Sequence, residues 1–197
     1  MLIGSVLGQQ VESESNFFRF KGNPQMNYPI YKTKKPGWFI KRKFINYIVN
    51  DKHGGFYSDQ ALSKTSQPKS VITKGSYRNQ LSTDGLTKLY NKHLNEIIKS
   101  FTGNSYFMNT IWYQYYGKNS GSYHNYHNHF SPNCKLSGIY YLRLKDPKLK
   151  TEFLNMPELS IGEGDIILFD SQAMHRSPPN YTESEKIILS FNLDRIK

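Results

Sequence analysis

At about residue 104 the hydrophobic period of this chain changes, and that change limits what it can fold into. Before it, Leu86, Leu89, Tyr90, Leu94, Ile97, Ile98 and Phe101 recur at spacings of three and four, which predicts a helix over about Asp84 to Phe101. Ser82, Thr83 and Asp84 offer N-cap side chains, and Gly103 is a natural stop. Lys88, Lys92 and Lys99 can take the wet side. A second helix is predicted over about Gly37 to Val49, with Trp38, Phe39, Phe44, Ile45 and Ile48 packing inward and His53-Gly54-Gly55 breaking it. The polar stretch from Ser58 to Asn79 reads as loop. After the change the signal is β. Ser105 to Tyr116, Leu136 to Leu144, Asp165 to Phe169 and Lys186 to Leu193 are short apolar or alternating runs bounded by Gly, Pro and Asp. They predict a mainly β (α+β) fold, a jelly-roll barrel over about 105–197 with helices and loops of about 1–103 supporting it. The length of 197 residues suits one domain, and no linker or internal repeat divides it.

Composition narrows the class. Apolar residues make up only 37%, but aromatics reach 15%, so large rings can supply core volume and a disordered chain is excluded. The formal net charge of +11 raises the question of a nucleic-acid or acidic protein partner. Lysine far outnumbers arginine and no long basic block exists, so an AT-rich coding bias is the favoured explanation and nucleic acid is not the favoured partner. No apolar run approaches the roughly 18 residues of a membrane span, and the start lacks the basic segment of a signal peptide. Cys134 is alone. Together these point to a cytoplasmic protein, where the sequon Asn180-Tyr181-Thr182 is irrelevant.

Chemistry concentrates in the histidines. Three of the six fall close together, at His124, His127 and His129. In a strand, side chains two apart share a face, so His127 and His129 can bind one metal while His124 points elsewhere. No Asp or Glu occurs from Ile97 to Lys145, so a carboxylate ligand cannot come from nearby. The common non-haem iron site uses two His and one carboxylate on one face. Here His129 stands two positions after the first His, and His175, following the strand Ile166-Ile167-Leu168-Phe169, is the best third ligand. The plainer reading is a Tyr- and His-rich loop without metal, and His53 and His93 deserve that reading. Lys186 opens the strand Lys186-Ile187-Ile188-Leu189-Ser190-Phe191-Asn192, where Lys186, Ile188, Ser190 and Asn192 share a face. A lysine facing into a barrel needs a partner, and a dicarboxylate co-substrate would supply one.

These residues resemble the 2-oxoglutarate/Fe(II) oxygenase superfamily, in its branch of small oxygenases found in bacteria and in phages of marine bacteria. The resemblance rests on Trp112 to Gly117, His127-Asn128-His129, Ser137-Gly138-Ile139-Tyr140-Tyr141-Leu142, Gly164 to Ser171, His175 to Asn180, and Lys186 with Ser190-Phe191-Asn192. It covers about residues 105–195. It implies a double-stranded β-helix, with iron held by His127 and His175 and by His129 where most of the superfamily has an acid. It implies that Lys186 pairs the distal carboxylate of 2-oxoglutarate, as a point charge rather than an arginine fork. The serine that relatives carry two residues after the cation is here Ile188, which leaves Ser190 as a substitute. The resemblance also implies that Tyr140 or Tyr141 hydrogen-bonds the co-substrate, and Asn192 is a further candidate. The implied reaction consumes 2-oxoglutarate and O₂, releases succinate and CO₂, and hydroxylates an unidentified substrate, peptidyl or prolyl by analogy.

Two other classes share parts of this pattern. Cupins have a jelly roll and an H-x-H pair but add a Glu that the acid-free stretch denies; a three-His dioxygenase independent of 2-oxoglutarate stays open. A non-enzymatic jelly roll that binds through its basic, tyrosine-rich surface is the other. The long loops 58–79 and 117–126 are candidates for a lid.

Overall fold

A computed structural model describes residues 30–33, 35–50, 55–56, 78–79, 84–156 and 158–195. In chain order the elements are β1 (Ile30–Lys32), α1 (Trp38–Asn50), β2 (Gly55–Phe56), β3 (Arg78–Asn79), α2 (Asp84–His93), α3 (Asn95–Thr102), β4 (Tyr106–Tyr116), β5 (His124–His127), β6 (Leu136–Leu144), a 3₁₀ turn (Pro147–Leu149), β7 (Glu152–Phe153), β8 (Ile166–Asp170), β9 (His175–Ser177) and β10 (Lys186–Arg195). Two sheets form. The larger has the order β1-β8-β6-β10-β4-β3-β2 and the smaller β5-β9-β7, with antiparallel pairing throughout. This is the mainly antiparallel jelly roll that the strand pattern predicts.

The central strands of the large sheet are buried on both faces, which is why they read as nearly unbroken apolar runs. Along β6, β8 and β10 alternate residues divide between two cores. Tyr140, Leu142, Leu168, Leu189 and Phe191 face the helices, where they pack with Phe44, Ile48, Leu86, Tyr90, Leu94 and Ile98. Ile139, Tyr141, Ile167, Phe169 and Ile188 face the barrel interior, with Tyr116 and Phe153. Edge-to-face contacts of Phe44 on Tyr140 and tilted packing of Tyr90 on Phe191 fix the helices on the sheet, with ring centroids 6.0 and 5.3 Å apart. Close approach is needed where β6 meets β10. Gly138 pairs with Phe191, and a Cβ at 138 would overlap the Phe191 ring.

Several local expectations change. Trp38 and Phe39 are 69% and 51% exposed rather than packed inward. The helix starts at Trp38, so its buried stripe is Ile40, Phe44 and Ile48, four residues apart, and the two leading aromatics fall outside that stripe. The single helix predicted over 84–101 is two, meeting at Leu94. Leu94 still donates to Tyr90 O and accepts from Ile98 N, which keeps one apolar face across the junction. Gly103 ends the second helix at φ 66°, donating to Lys99 O. Arg78–Asn79, placed in a loop by composition, pair with β4. Residues 1–29, Ser82, Thr83, His53 and most of the loop 58–79 lie outside the described residues. Asn180 of the sequon is fully buried and its amide donates to Gly117 O and Ser184 O. No helix of the described residues is long and apolar enough to cross a membrane.

The close pass at Gly138 gives a stability test. Gly138→Ala forces Phe191 or the strand to shift and is expected to lower unfolding stability by about 1–3 kcal/mol in a urea titration; an unchanged midpoint would mean that the helix side of the sheet yields freely.

Candidate metal centre

The site begins with the short ladder between β5 and β9. His127 stands opposite His175 and His124 opposite Ser177, with a register shift between the two pairs. The His127 Nδ1–H donates to Asn125 O at 2.8 Å, and the His175 Nδ1–H to Ala173 O at 3.0 Å. A carbonyl oxygen only accepts, so in both rings Nδ1 carries the hydrogen and Nε2 keeps its lone pair. Each ring is thus tied to its own strand two residues upstream, in the tautomer a metal ligand needs.

His129 arrives differently. The strand ends at His127, so the two residues do not share a strand face as their spacing predicts. Instead the His129 N–H donates to Ser171 O at 2.9 Å, and its ring stacks on Trp112 at 5.3 Å. The ring centroids of His127 and His175 are 4.3 Å apart, those of His129 and His175 5.1 Å. Ligand nitrogens of His127, His129 and His175 all lie within 4.8 Å of one another. Three nitrogens bound to one ion through bonds of about 2.1 Å stand about 3.0–3.4 Å apart, so the rings must draw together by up to about 1.5–2 Å to complete the set.

The electrostatics agree with neutral rings. Burial lowers the pKa of His127, although the Asn125 carbonyl opposes it. Burial and, secondarily, His127 push His129 down to about 3. Burial also holds His175 well below the ordinary imidazole value, helped by repulsion from His127 and His129. A divalent ion therefore meets little competition from protons here. The donor set of three neutral imidazoles fits a first-row transition metal better than a hard cation such as calcium or magnesium.

The three rings line a narrow cavity of about 20 Å³ between the sheets, together with Trp112, Gln114 and Tyr116 from β4. Its centre is narrow, so a ligand must rotate lining side chains as it enters. Lys186 lies beyond the inner end, behind Tyr116 and Ser177. It is 1% exposed, its Nζ donates to Ser177 Oγ at 2.7 Å, and it sits 5.1 Å from the Tyr116 ring centroid. Burial pulls its pKa down to about 7, with Glu152 opposing the shift. Tyr141 faces the barrel interior and Tyr140 the helices, which settles the direction left open by sequence. The Tyr141 hydroxyl is buried without a hydrogen bond of ordinary geometry. Thr151 lies near enough to oppose the upward push that burial gives its pKa. Ser190 lines the cavity and donates to Gln114 Oε1 at 3.0 Å. Asn192 shares the face of Ser190 but does not line the cavity; its Oδ1 accepts from Ser137 Oγ at 3.0 Å.

His124 corrects the parity argument. The register shift turns it toward the cavity, where its ring stacks on His127 at 3.9 Å and Gln114 Nε2 lies 3.4 Å from its Nδ1. A shift of this kind breaks strict alternation and leaves no mark in the sequence. Gln114, Tyr116 and Ser177 were also not singled out. For Gln114 and Tyr116 the signal, every second residue from Trp112 along β4, is hidden because that strand is aromatic on both faces; Ser177, on β9, carries no such signal.

No family model matches the sequence, and no curated protein matches it. Solved structures do. The viral collagen prolyl hydroxylase of Paramecium bursaria Chlorella virus-1, in its 2OG complex, aligns with TM-score 0.57 at 14% identity, over 85% of this chain and 96% of that one. HygX from Streptomyces hygroscopicus, with nickel and 2-oxoglutarate bound, aligns with TM-score 0.57 at 10% identity, over 84% and 82%. A prolyl hydroxylase from Trichoplax adhaerens, in complex with a peptide of hypoxia inducible factor, aligns with TM-score 0.54 at 14% identity, over 84% and 83%. The fold is thus that of 2-oxoglutarate oxygenase structures, at identities where only the fold is shared.

The neutral rings set an expected pH behaviour. Three imidazoles of ordinary pKa would lose on the order of 50–100-fold in metal affinity between pH 8 and 6. Nickel(II) or cobalt(II) affinity here is expected to change by no more than about threefold over that range, measured by titration calorimetry. Without metal, the unfolded imidazoles protonate below about pH 6.5 while the folded ones stay neutral, so thermal stability should fall as pH drops through that point. A steep loss of metal affinity already at pH 6 would show that these rings are not held neutral.

Proposed function

We propose that the protein is an Fe(II)- and 2-oxoglutarate-dependent oxygenase, with His127, His129 and His175 holding the metal and Lys186 holding the distal carboxylate of the co-substrate. One arrangement carries this reading. Three neutral imidazoles converge on a cavity whose lining includes Ser177, and behind Ser177 lies a buried ammonium that, among the described residues, has no carboxylate hydrogen-bonded to it. A buried lysine costs free energy unless an anion meets it. The viral collagen prolyl hydroxylase and HygX structures of like fold hold 2-oxoglutarate, which supports the same choice of anion.

When bound, iron and 2-oxoglutarate supply the oxidising chemistry, with release of succinate and CO₂. The chain's residues position and exclude. His127 and His175 are aimed by their backbone hydrogen bonds, and Trp112 holds the His129 ring by stacking. Lys186 and the unpartnered Tyr141 hydroxyl both lie on the interior side of the large sheet. With three neutral ligands the centre keeps the full metal charge, one unit more than with a carboxylate ligand, which strengthens its hold on a dianion. Phe169, Phe153 and Ile188 keep water from the inner end.

For the primary substrate we carry over a peptidyl, prolyl-like target from the named neighbours. An outer groove beside β7, lined by Tyr126, Lys150, Glu152 and Phe153, shares Thr151 with the inner cavity and is the approach it would use. A second reading is favoured by the absence of an acid from the ligand cluster: a three-His dioxygenase that consumes O₂ without 2-oxoglutarate.

The two separate in one assay. The oxygenase reading expects Fe(II)-dependent succinate formation from 2-oxoglutarate; oxygen uptake that is indifferent to 2-oxoglutarate would support the cupin-like alternative instead. Lys186→Ala is expected to weaken 2-oxoglutarate binding to the nickel-loaded protein by tenfold or more, on the scale of about 1.5–3 kcal/mol for a charge-assisted hydrogen bond. Because Lys186 is charged below about pH 7 and neutral above it, binding by the unmodified protein should weaken as pH rises from 7 to 9. A flat profile would remove Lys186 from the anchor role.

A further inference from the structure

The metal set uses three of the four histidines that crowd this end of the barrel, and the fourth is not in the converging group. His124 belongs to the second rung of the β5–β9 ladder, opposite Ser177, whereas His127 and His175 form the first. Along β9 the step from His175 to Ser177 is two residues, about 6.6–6.8 Å. Ser177 in turn accepts from Lys186. A diacid running from the metal to Lys186 therefore passes His124. The ring leans back toward the metal end, stacked on His127 at 3.9 Å with their planes 21° apart.

Its hydrogen can be placed. Ser190 Oγ donates to Gln114 Oε1, which orients the Gln114 amide and directs Nε2 toward His124 Nδ1. An amide nitrogen only donates, so Nδ1 accepts and the hydrogen of the neutral ring sits on Nε2. This is the opposite tautomer to that of His127 and His175. Those rings offer a lone pair, and His124 offers a donor. A donor fits a carboxylate, not a metal.

We propose that His124, oriented by the Ser190–Gln114 chain, donates from Nε2 to the metal-end carboxylate of a 2-oxo acid co-substrate. This rests on the oxygenase reading above. It makes His124 a binding residue for the group common to all 2-oxo acids, with Lys186 selecting those that carry a second carboxylate.

The test measures binding, not turnover. Nickel(II) affinity, then the affinities of 2-oxoglutarate and of the monoacid 2-oxobutyrate for the nickel-loaded protein, are compared for the unmodified chain, His124→Ala, His124→Gln, Gln114→Leu and Lys186→Ala. For His124→Ala, nickel affinity should stay within about twofold, while both 2-oxo acids weaken alike, by about tenfold or more. His124→Gln keeps an amide donor and should recover part of the loss. Gln114→Leu removes the acceptor-setting amide and should fall between. Lys186→Ala should weaken 2-oxoglutarate alone. The proposal is overturned if His124→Ala reduces nickel affinity as much as it reduces 2-oxo acid binding, because the ring then acts only by steadying His127. It is also overturned if only the diacid is affected, or neither. If the unmodified nickel-loaded protein binds no 2-oxo acid, the oxygenase reading falls and this proposal with it; circular dichroism of each variant shows that the fold is retained.

Discussion

The site depends on the pairing of β5 with β9. Only two residue pairs define it, yet they decide which side chains meet in the barrel. One rung brings His127 to His175 and the next brings His124 to Ser177. Slip the pairing by one residue and the imidazoles turn to the outside. The smaller sheet is too short to hold this register alone. It is backed by Phe153 of β7, which packs against both Phe169 and His175, and by the backbone carbonyls that lock the two imidazoles. The large sheet contributes the opposite wall, with Trp112 and Gln114 of β4 reaching across to His129 and His124.

The chain states its fold more openly than its site. Four β-runs were legible because central strands buried on both faces carry almost no polar residues, as Ile166-Ile167-Leu168-Phe169 shows. Helix positions were legible from the three-and-four spacing, but helix phase was less so. Trp38 and Phe39 are large and apolar, and only the start of the helix tells that they miss its buried stripe. His127, His129 and His175 could be nominated from residue type and order. Their geometry could not: His129 lies past the end of its strand and is held by a carbonyl of the β8–β9 turn, a contact between distant segments. His124 was assigned to the wrong side for a similar reason, since alternation fails at a bulge. The choice between Tyr140 and Tyr141 needed only the parity of β6 against its neighbours, which one face of contacts supplies and a sequence does not.

The interior also shows how buried charge is distributed. At one end the rings give up their protons, and the cost of burial is met by neutrality. At the other Lys186 is satisfied by a hydroxyl and an aromatic face, weaker partners than a carboxylate. The asymmetry is of the kind that leaves an anion something to gain by entering. A protein built only for stability would do better with an apolar residue at 186.

One contact at the edge of the barrel bears on how the chain can be handled. Asp165 is almost wholly buried, and Lys32 and Lys35 bring their ammonium groups to it at 2.9 and 3.3 Å, just beyond the strand by which β1 pairs with β8. The segment that precedes the helices is therefore a counter-charge as well as an edge strand. Trimming the chain to begin at the first helix would strand a carboxylate in the apolar wall and bare the margin of β8 at once. A shortened version intended for expression has to keep the chain from Ile30 onward, even though the converging histidines and Lys186 all lie in the second half.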